Sequence, residues 1–369
     1  MPLLSDVKNM KEMRDALQDY LGKIVEEESE EEKKNDKKIK TYIIESNITD
    51  PRRISKYPSN AQIKSTEDKN LFLIDIPHQL GHQTIYLDSS DPRFWLLHTG
   101  SASGEVHDFI FKLVTENKSQ LDYSWFSSNF LENKCGIGTG EGFGLKYENS
   151  FLKDSEELEN GHLRKFSMLF WGGKPTEVLD GLKTNENLVS GVSLSRIKRI
   201  FKTEDGFVKE SVSREGKFTL TKGDSINSHF LAVDKIKTKY ADIISRIEND
   251  YRINYTPTEV GFKINGTYAL IELKKPIEDL ALFVERLLSC THPFRVFGIP
   301  EFIDKDFVKI SAVDLHTYDR FNMEISSNFI RIFLYKKSCG NVLTRLMTNL
   351  QQYYDSQIKL TGCDDEQLL

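Results

Sequence analysis

Two well-separated stretches of this chain echo one another: Leu169-Phe170-Trp171-Gly172-Gly173-Lys174-Pro175-Thr176-Glu177-Val178-Leu179 and Leu270-Ile271-Glu272-Leu273-Lys274-Lys275-Pro276-Ile277-Glu278-Asp279-Leu280. Each reads as a strand, a Lys-Pro step and the start of a helix. Proline suits the first helical position and an acid in the first turn suits the helix dipole. Further strands and then a long amphipathic helix follow both copies. The pattern predicts an α+β fold with two tandem mixed strand/helix modules, built of antiparallel sheets with packed helices. The modules span 144–256 and 257–369, the second with a closing helix and an acidic tail. An N-terminal amphipathic helix with a charged linker (1–40) and an α+β region (41–143) precede them.

Composition limits the function classes. With 38% hydrophobic and 11% aromatic residues, including 23 Phe and 14 Tyr, the chain has enough apolar mass for several cores. A net charge of −6 gives no global reason to bind nucleic acid, so such binding needs a local basic patch. Cys135, Cys290, Cys339 and Cys363 show no CxxC spacing, which predicts reduced thiols in a cytoplasmic protein and no zinc site. Neither a membrane-length apolar run nor a signal-peptide core is present in the sequence, so no membrane partner is expected. Abundant Ile, Lys and Asn give the texture of an AT-rich prokaryote or phage.

From Val7 to Ile24, apolar residues at Met10, Met13, Leu17, Leu21 and Ile24 mark one helical face. This helix reads as an appendage that docks on a partner or makes a homo-oligomer. The charged run Glu26 to Lys40 reads as a solvated tether. Strands are predicted at Thr41–Ile44, Leu71–Ile76 and Thr84–Leu87, with helices over Pro92 to His98 and Glu105 to Glu116. In the first module, strands at Val192–Phe201, Phe207–Val212 and Lys217–Thr221 lead into a helix over Asn227–Asn249. In the second, Asn265-Gly266 predicts a type I′ hairpin joining Val260–Ile264 to Thr267–Leu273. The last helix, Asn341 to Ile358, carries an apolar stripe opposite a polar one of Asn341, Arg345, Asn349 and Gln352.

Several constellations bear on chemistry. Glu259 precedes one strand of the expected hairpin, and Glu272 and Lys274 share a face of the next. This arrangement resembles the core of the PD-(D/E)xK nucleases. The resemblance implies a magnesium-dependent phosphodiesterase in which Glu259 and Glu272 hold the metal and Lys274 helps activate the attacking water. Glutamate stands at 259 where aspartate is usual, and no glutamine-bearing helix follows. The glycine run Cys135 to Gly144 matches neither GxGxxG nor a P-loop, so it reads as a hinge or a tight backbone crossing. His78 and His82 lack further ligands for zinc. Ser101 and Ser103 miss the GxSxG register and read as caps for the following helix.

Local basic positions remain. Arg196, Lys198, Arg199 and Lys202 crowd one strand, Lys217 lies on the hairpin after it, and Arg331, Lys336 and Arg345 belong to the second module. Strand faces studded with Lys and Arg can grip a phosphate backbone. With no complete catalytic set and no cofactor site legible, the chain reads as a non-enzymatic binding or scaffold subunit of a prokaryotic or phage complex, a defence system among its settings. Its expected partner is another protein subunit or nucleic acid.

Overall fold

The structure of the chain is a computed structural model that describes residues 6–30, 38–78, 81–101, 103–136, 138–151 and 163–362. Linker residues 31–37, Ile137 of the glycine run, the side chains of His78 and Ser103, and Cys363 with the acidic tail lie outside the description. In chain order the helices and strands are α1 (Met10–Glu30), β1 (Ile39–Ser46), β2 (Gln62–Ser65), β3 (Leu71–His78), β4 (Gly81–Asp88), β5 (Phe94–Thr99), α2 (Ser103–Glu116), β6 (Leu121–Tyr123), α3 (Ser128–Asn133), β7 (Thr139–Glu148), β8 (Lys165–Trp171) and α4 (Pro175–Lys183). They continue with β9 (Leu194–Thr203), β10 (Gly206–Ser213), β11 (Lys217–Gly223), α5 (Ile226–Arg246), β12 (Arg252–Thr258), β13 (Gly261–Asn265), β14 (Ala269–Glu272) and α6 (Leu280–Leu287). The last are β15 (Val296–Phe302), β16 (Phe307–Asp314), β17 (Arg320–Ser326), β18 (Phe329–Tyr335), α7 (Asn341–Tyr353) and β19 (Lys359–Thr361). The fold is mixed α+β with antiparallel-rich sheets.

Contacts gather the chain into two compact units, one of residues 1–124, 134–141 and 197–239, the other of 125–133, 142–196 and 240–369. This grouping cuts across the modules read from the sequence, because residues 197–239 cluster with the N-terminal part and 142–196 with the C-terminal part.

In the first unit the strands run in the order β2-β3-β4-β5-β1-β11-β10-β9, with β6 also on β1. All eight residues of β1 and all six of β5 are buried. Phe94 to Thr99 is therefore a strand where a short helix was expected, since an uninterrupted apolar run suits a strand covered on both faces. Helix α1 begins with a reciprocal cap: the Asn9 side chain accepts from the Glu12 backbone N–H at 3.0 Å and Glu12 accepts from the Lys8 N–H at 2.9 Å. Its stripe of Met13, Leu17, Leu21 and Ile24 is buried in one core with Leu71, Leu73, Tyr86, Val208 and Leu220. Each such side chain contributes about 1.5–3 kcal/mol. This corrects the reading of α1 as an oligomerisation helix, because its apolar face is already covered by the chain's own sheet.

In the second unit the sheet order is β13-β12-β18-β17-β16-β15. One edge of β18 is shared: β14 pairs antiparallel with Phe329–Ile332, and β12 pairs parallel with Leu334 and Tyr335. The other side of β14 carries β19. The hairpin expected around Asn265-Gly266 does not form. Instead β12 and β13 pair across a turn at Glu259 and Val260. Alternate residues Ala269 and Ile271 of β14 are buried, and the core beside β18 takes them. Gly266 at φ +85° still turns the chain, with Arg252 O occupying the space a Cβ would need. Glycine also permits a tight crossing at Gly142, where a Cβ would collide with Phe170 O on the paired strand.

Helix α7 is buried on every side from Asn341 to Gln352, its polar stripe included. Arg345 donates to Asp314 on β16 and, through Nε at 2.9 Å, to Phe294 O. Asn341 accepts from the Tyr240 hydroxyl, which also meets Thr344 at 2.9 Å. Asn349 donates to Arg345 O at 2.8 Å, and Gln351 accepts from the Ser128 N–H at 2.8 Å. The stripe expected to face water or a partner is thus internal wiring.

A buried pair broken on one side leaves a bare charge. Asp314→Ala is expected to lower the unfolding free energy by about 3–5 kcal/mol in chemical denaturation, and the double replacement Asp314→Leu with Arg345→Met by much less.

Candidate functional site: an open sheet face and its β-ribbon

The richest polar constellation lies inside the first unit and was not anticipated from the sequence. Glu210 on β10 meets Arg199 on β9 at 2.6 Å and His229 Nδ1 on α5 at 2.7 Å. His229 Nε2 meets the Thr41 hydroxyl of β1 at 2.8 Å, and that hydroxyl meets His98 Nδ1 of β5 at 2.8 Å. A carboxylate only accepts, so His229 Nδ1–H donates to Glu210. The Thr41 hydroxyl thus bridges the two imidazoles, His229 Nε2 on one side and His98 Nδ1 on the other. His98 Nε2 has no hydrogen-bond partner among the described residues. Acid, imidazole and hydroxyl stand in the order of a hydrolase triad, but Thr41, Glu210 and His229 are each 0% exposed. The three side chains are closed off from solvent.

Electrostatics follow from this burial. Burial pushes Glu210 up, but the hydrogen bond from His229 and the charge of Arg199 outweigh it and hold the carboxyl below its ordinary range. Burial, helped by the nearby His229, Arg14 and Lys237, pushes His98 down to about 3. The Cys135 thiol is pushed up by burial and stays protonated, while its carbonyl accepts from Arg199.

The residues expected to act together are dispersed. Glu259 sits exposed in the β12–β13 turn, Glu272 closes β14 opposite Phe329 and Lys359, and Lys274 lies past the strand in a bend. There Asp355 accepts the backbone N–H groups of Lys274 and Lys275 at 2.7 and 2.9 Å. Strands β13 and β14 do not pair, so the acid and the E-x-K element of the nuclease pattern are not on neighbouring strands. Among the described residues no cluster of His, Cys, Asp or Glu is placed to hold a metal. His82 pairs with Asp75 at 3.0 Å across the β3–β4 hairpin.

Of the basic candidates, Arg199 and Arg345 are buried on internal carboxylates, which removes them from any contact surface. Lys217 lies over the Tyr42 ring at 5.5 Å. Arg331 is held between Phe329 and Tyr268 at 4.6 and 5.3 Å and reaches Glu324 at 3.5 Å. Lys198 is half-buried and lowered by burial and by neighbouring Lys209 and Lys38. Arg196, Lys202 and Lys336 are exposed.

What the second unit presents outward is a sheet face ordered in rungs. Buried Ile310, Met323 and Ile332 point inward, so their strand neighbours point out. One rung alternates charge through Glu301, Lys309, Glu324 and Arg331. The next holds Ile299, Ser311, Asn322 and Phe333, and a third begins with Phe297, Val313 and Arg320. Glu301, Lys309 and Glu324 of the first rung and all four residues of the second line a shallow depression of about 430 Å³. Tyr335 continues the face on β18 and sits beside Ile253, the last β12 residue paired to it.

Beyond Ile253, β12 and β13 form a two-stranded ribbon with two different faces. Tyr255 pairs with Ile264 and Pro257 with Phe262 on one face, and Thr256 pairs with Lys263 and Asn254 with Asn265 on the other. The polar face is knitted by Asn265 donating to Thr256 Oγ1 at 2.9 Å. The apolar face has Tyr255 68%, Phe262 70% and Ile264 73% exposed, with Val260 fully exposed at the turn. Tyr255 and Phe262 meet edge to face at 5.3 Å. The alternation belongs to a half-covered sheet, but nothing among the described residues covers it. Strand β15, at the far edge, is instead guarded by Pro300 and Glu301.

The fold and surface define an α+β protein of two compact units with antiparallel-rich sheets. Its chain belongs to the MJECL33-like protein family, which it matches over residues 1–369. It is similar to the uncharacterized protein MJECL33 of Methanocaldococcus jannaschii, 33% identical over 357 residues that cover 86% of this chain and 85% of the relative. None of the described helices is long and apolar enough to cross a membrane.

The depressed His98 gives a signed pH dependence. The unfolded chain takes up a proton near the ordinary histidine pKa of 6.5, and the folded chain only near 3. Stability is therefore lost as pH falls through this window, by about 1.4 kcal/mol per pH unit for that proton. Equilibrium unfolding against pH is expected to show this slope in the wild type and a shallower one in His98→Gln.

Proposed function

We propose that this protein is a non-enzymatic binding subunit that works in the cytoplasm as part of a larger complex and holds another protein on the open sheet face and ribbon of its second unit. The observation that carries this reading is the apolar ribbon face of Tyr255, Pro257, Phe262 and Ile264, patterned for burial but left in solvent. Contiguous exposed apolar surface of this kind marks interaction sites, and main-chain edges such as β13 add strands from partners. The free thiols of Cys135, Cys290 and Cys339 support a reducing compartment. Element order also supports internal duplication: β8, α4, three strands and α5 recur as β14, α6, four strands and α7.

Nucleic acid is less favoured as the partner. Two of the candidate arginines are buried, and Lys217 and Arg331 are engaged with rings of the same chain.

A photo-crosslinking amino acid placed at Phe262 is expected to yield a covalent protein adduct in cells, and the same group at Thr256 on the polar face far less. Absence of a protein adduct from position 262 would remove this reading.

A further inference from the structure

The ribbon also constrains which protein covers it, granted that it is an interaction surface as just argued. We propose that its partner is a second copy of this chain, with the two ribbons packed apolar face to apolar face and pointing in opposite directions.

Self-pairing needs a patch compatible with itself, since a two-fold interface brings the same residues together from both sides. Tyr255, Pro257, Phe262 and Ile264 include no charged group, so no like charges meet. Lys263, the charged residue within β13, is on the opposite face with Thr256 and remains in water. Stacked sheets separate by about 10 Å, a gap that large apolar side chains of this kind fill.

Direction is set by charge at the two ends. The turn carries exposed Glu259. The root carries exposed Lys336 and Lys337, immediately after Tyr335, which flanks Ile253. From Ile253 to Thr258 the strand advances roughly 17 Å at the usual rise. Full overlap of two opposed ribbons therefore lays each Glu259 over the partner's Lys336 and Lys337, whereas parallel ribbons would set acid against acid. The tip acid also opposes the use of this face as a lipid anchor, because a carboxylate would have to lead into the bilayer.

Size predicts strength. At the observed exposures each ribbon offers on the order of 500 Å² of apolar surface. Two ribbons and the adjoining Tyr335 reach only the lower end of stable interfaces, roughly 1,200 Å² in total. The dimer is thus reversible and concentration-dependent.

Sedimentation velocity of the full chain over a concentration series tests this. The wild type is expected to show a monomer–dimer equilibrium, and Phe262→Lys with Ile264→Lys to sediment as a monomer with an unchanged melting temperature, since the ribbon lies outside the core. Glu259→Lys alone, or Lys336→Glu with Lys337→Glu, is expected to weaken the dimer about tenfold. The three changes combined are expected to recover it, which mere structural damage would not do. A wild type monomeric throughout, a dimer indifferent to the position 262 and 264 changes, or failure of the charge swap to recover association would overturn the proposal. If the chain is monomeric but position 262 crosslinks to a different protein, the interaction surface stands and the second copy falls.

Discussion

An ion sealed in a protein interior has to be neutralised where it stands, and each unit of this protein is organised around one such arginine. In the first, Arg199 and Glu210 fix how β9 lies against β10, and Glu210 reaches on through His229 to Thr41 and His98, tying α5 to β1 and β5. In the second, Arg345 and Asp314 fix the rotation of α7 against β16. Neither arginine can slide by a residue without stranding its charge. Register is therefore pinned by polar groups in places where interchangeable apolar contacts would leave it loose.

This wiring explains where the sequence is readable and where it misleads. Helix α1 and the strands β9 to β11 follow from periodicity and turn residues, because propensity and burial agree along them. Helix α7 is located correctly, but periodicity divides it into an apolar and a polar stripe and assigns the second to water. Burial of Asn341 and Arg345 depends on partners far along the chain, Tyr240, Asp314 and Phe294 among them, which a local window does not see. The Asn-Gly hairpin fails for a related reason. Local turn chemistry favours it, while β14 has a long-range place between β18 and β19 that buries Ala269 and Ile271.

The interior polar chain did leave a trace in the sequence. Glu210 falls in step with buried Val208 and Val212, and His229 falls on the stripe of Val233, Ile236 and Tyr240. A charged or titratable residue on an otherwise apolar face signals a buried partner. The ribbon's alternation was legible as well, since Tyr255, Pro257, Phe262 and Ile264 follow the two-residue period. Its exposure was not, because the same period is written for any strand with one covered face.

Among the described residues the ribbon is paired to the sheet at Arg252 and Ile253, the two β12 residues that pair with β18. Folding of the body consequently places almost no demand on the identities of residues 254–265. Sequence change there is nearly free of a stability penalty, so natural variation can remake this exposed surface while the scaffold behind it stays the same. Such a joint lets an exposed surface evolve apart from the fold that carries it.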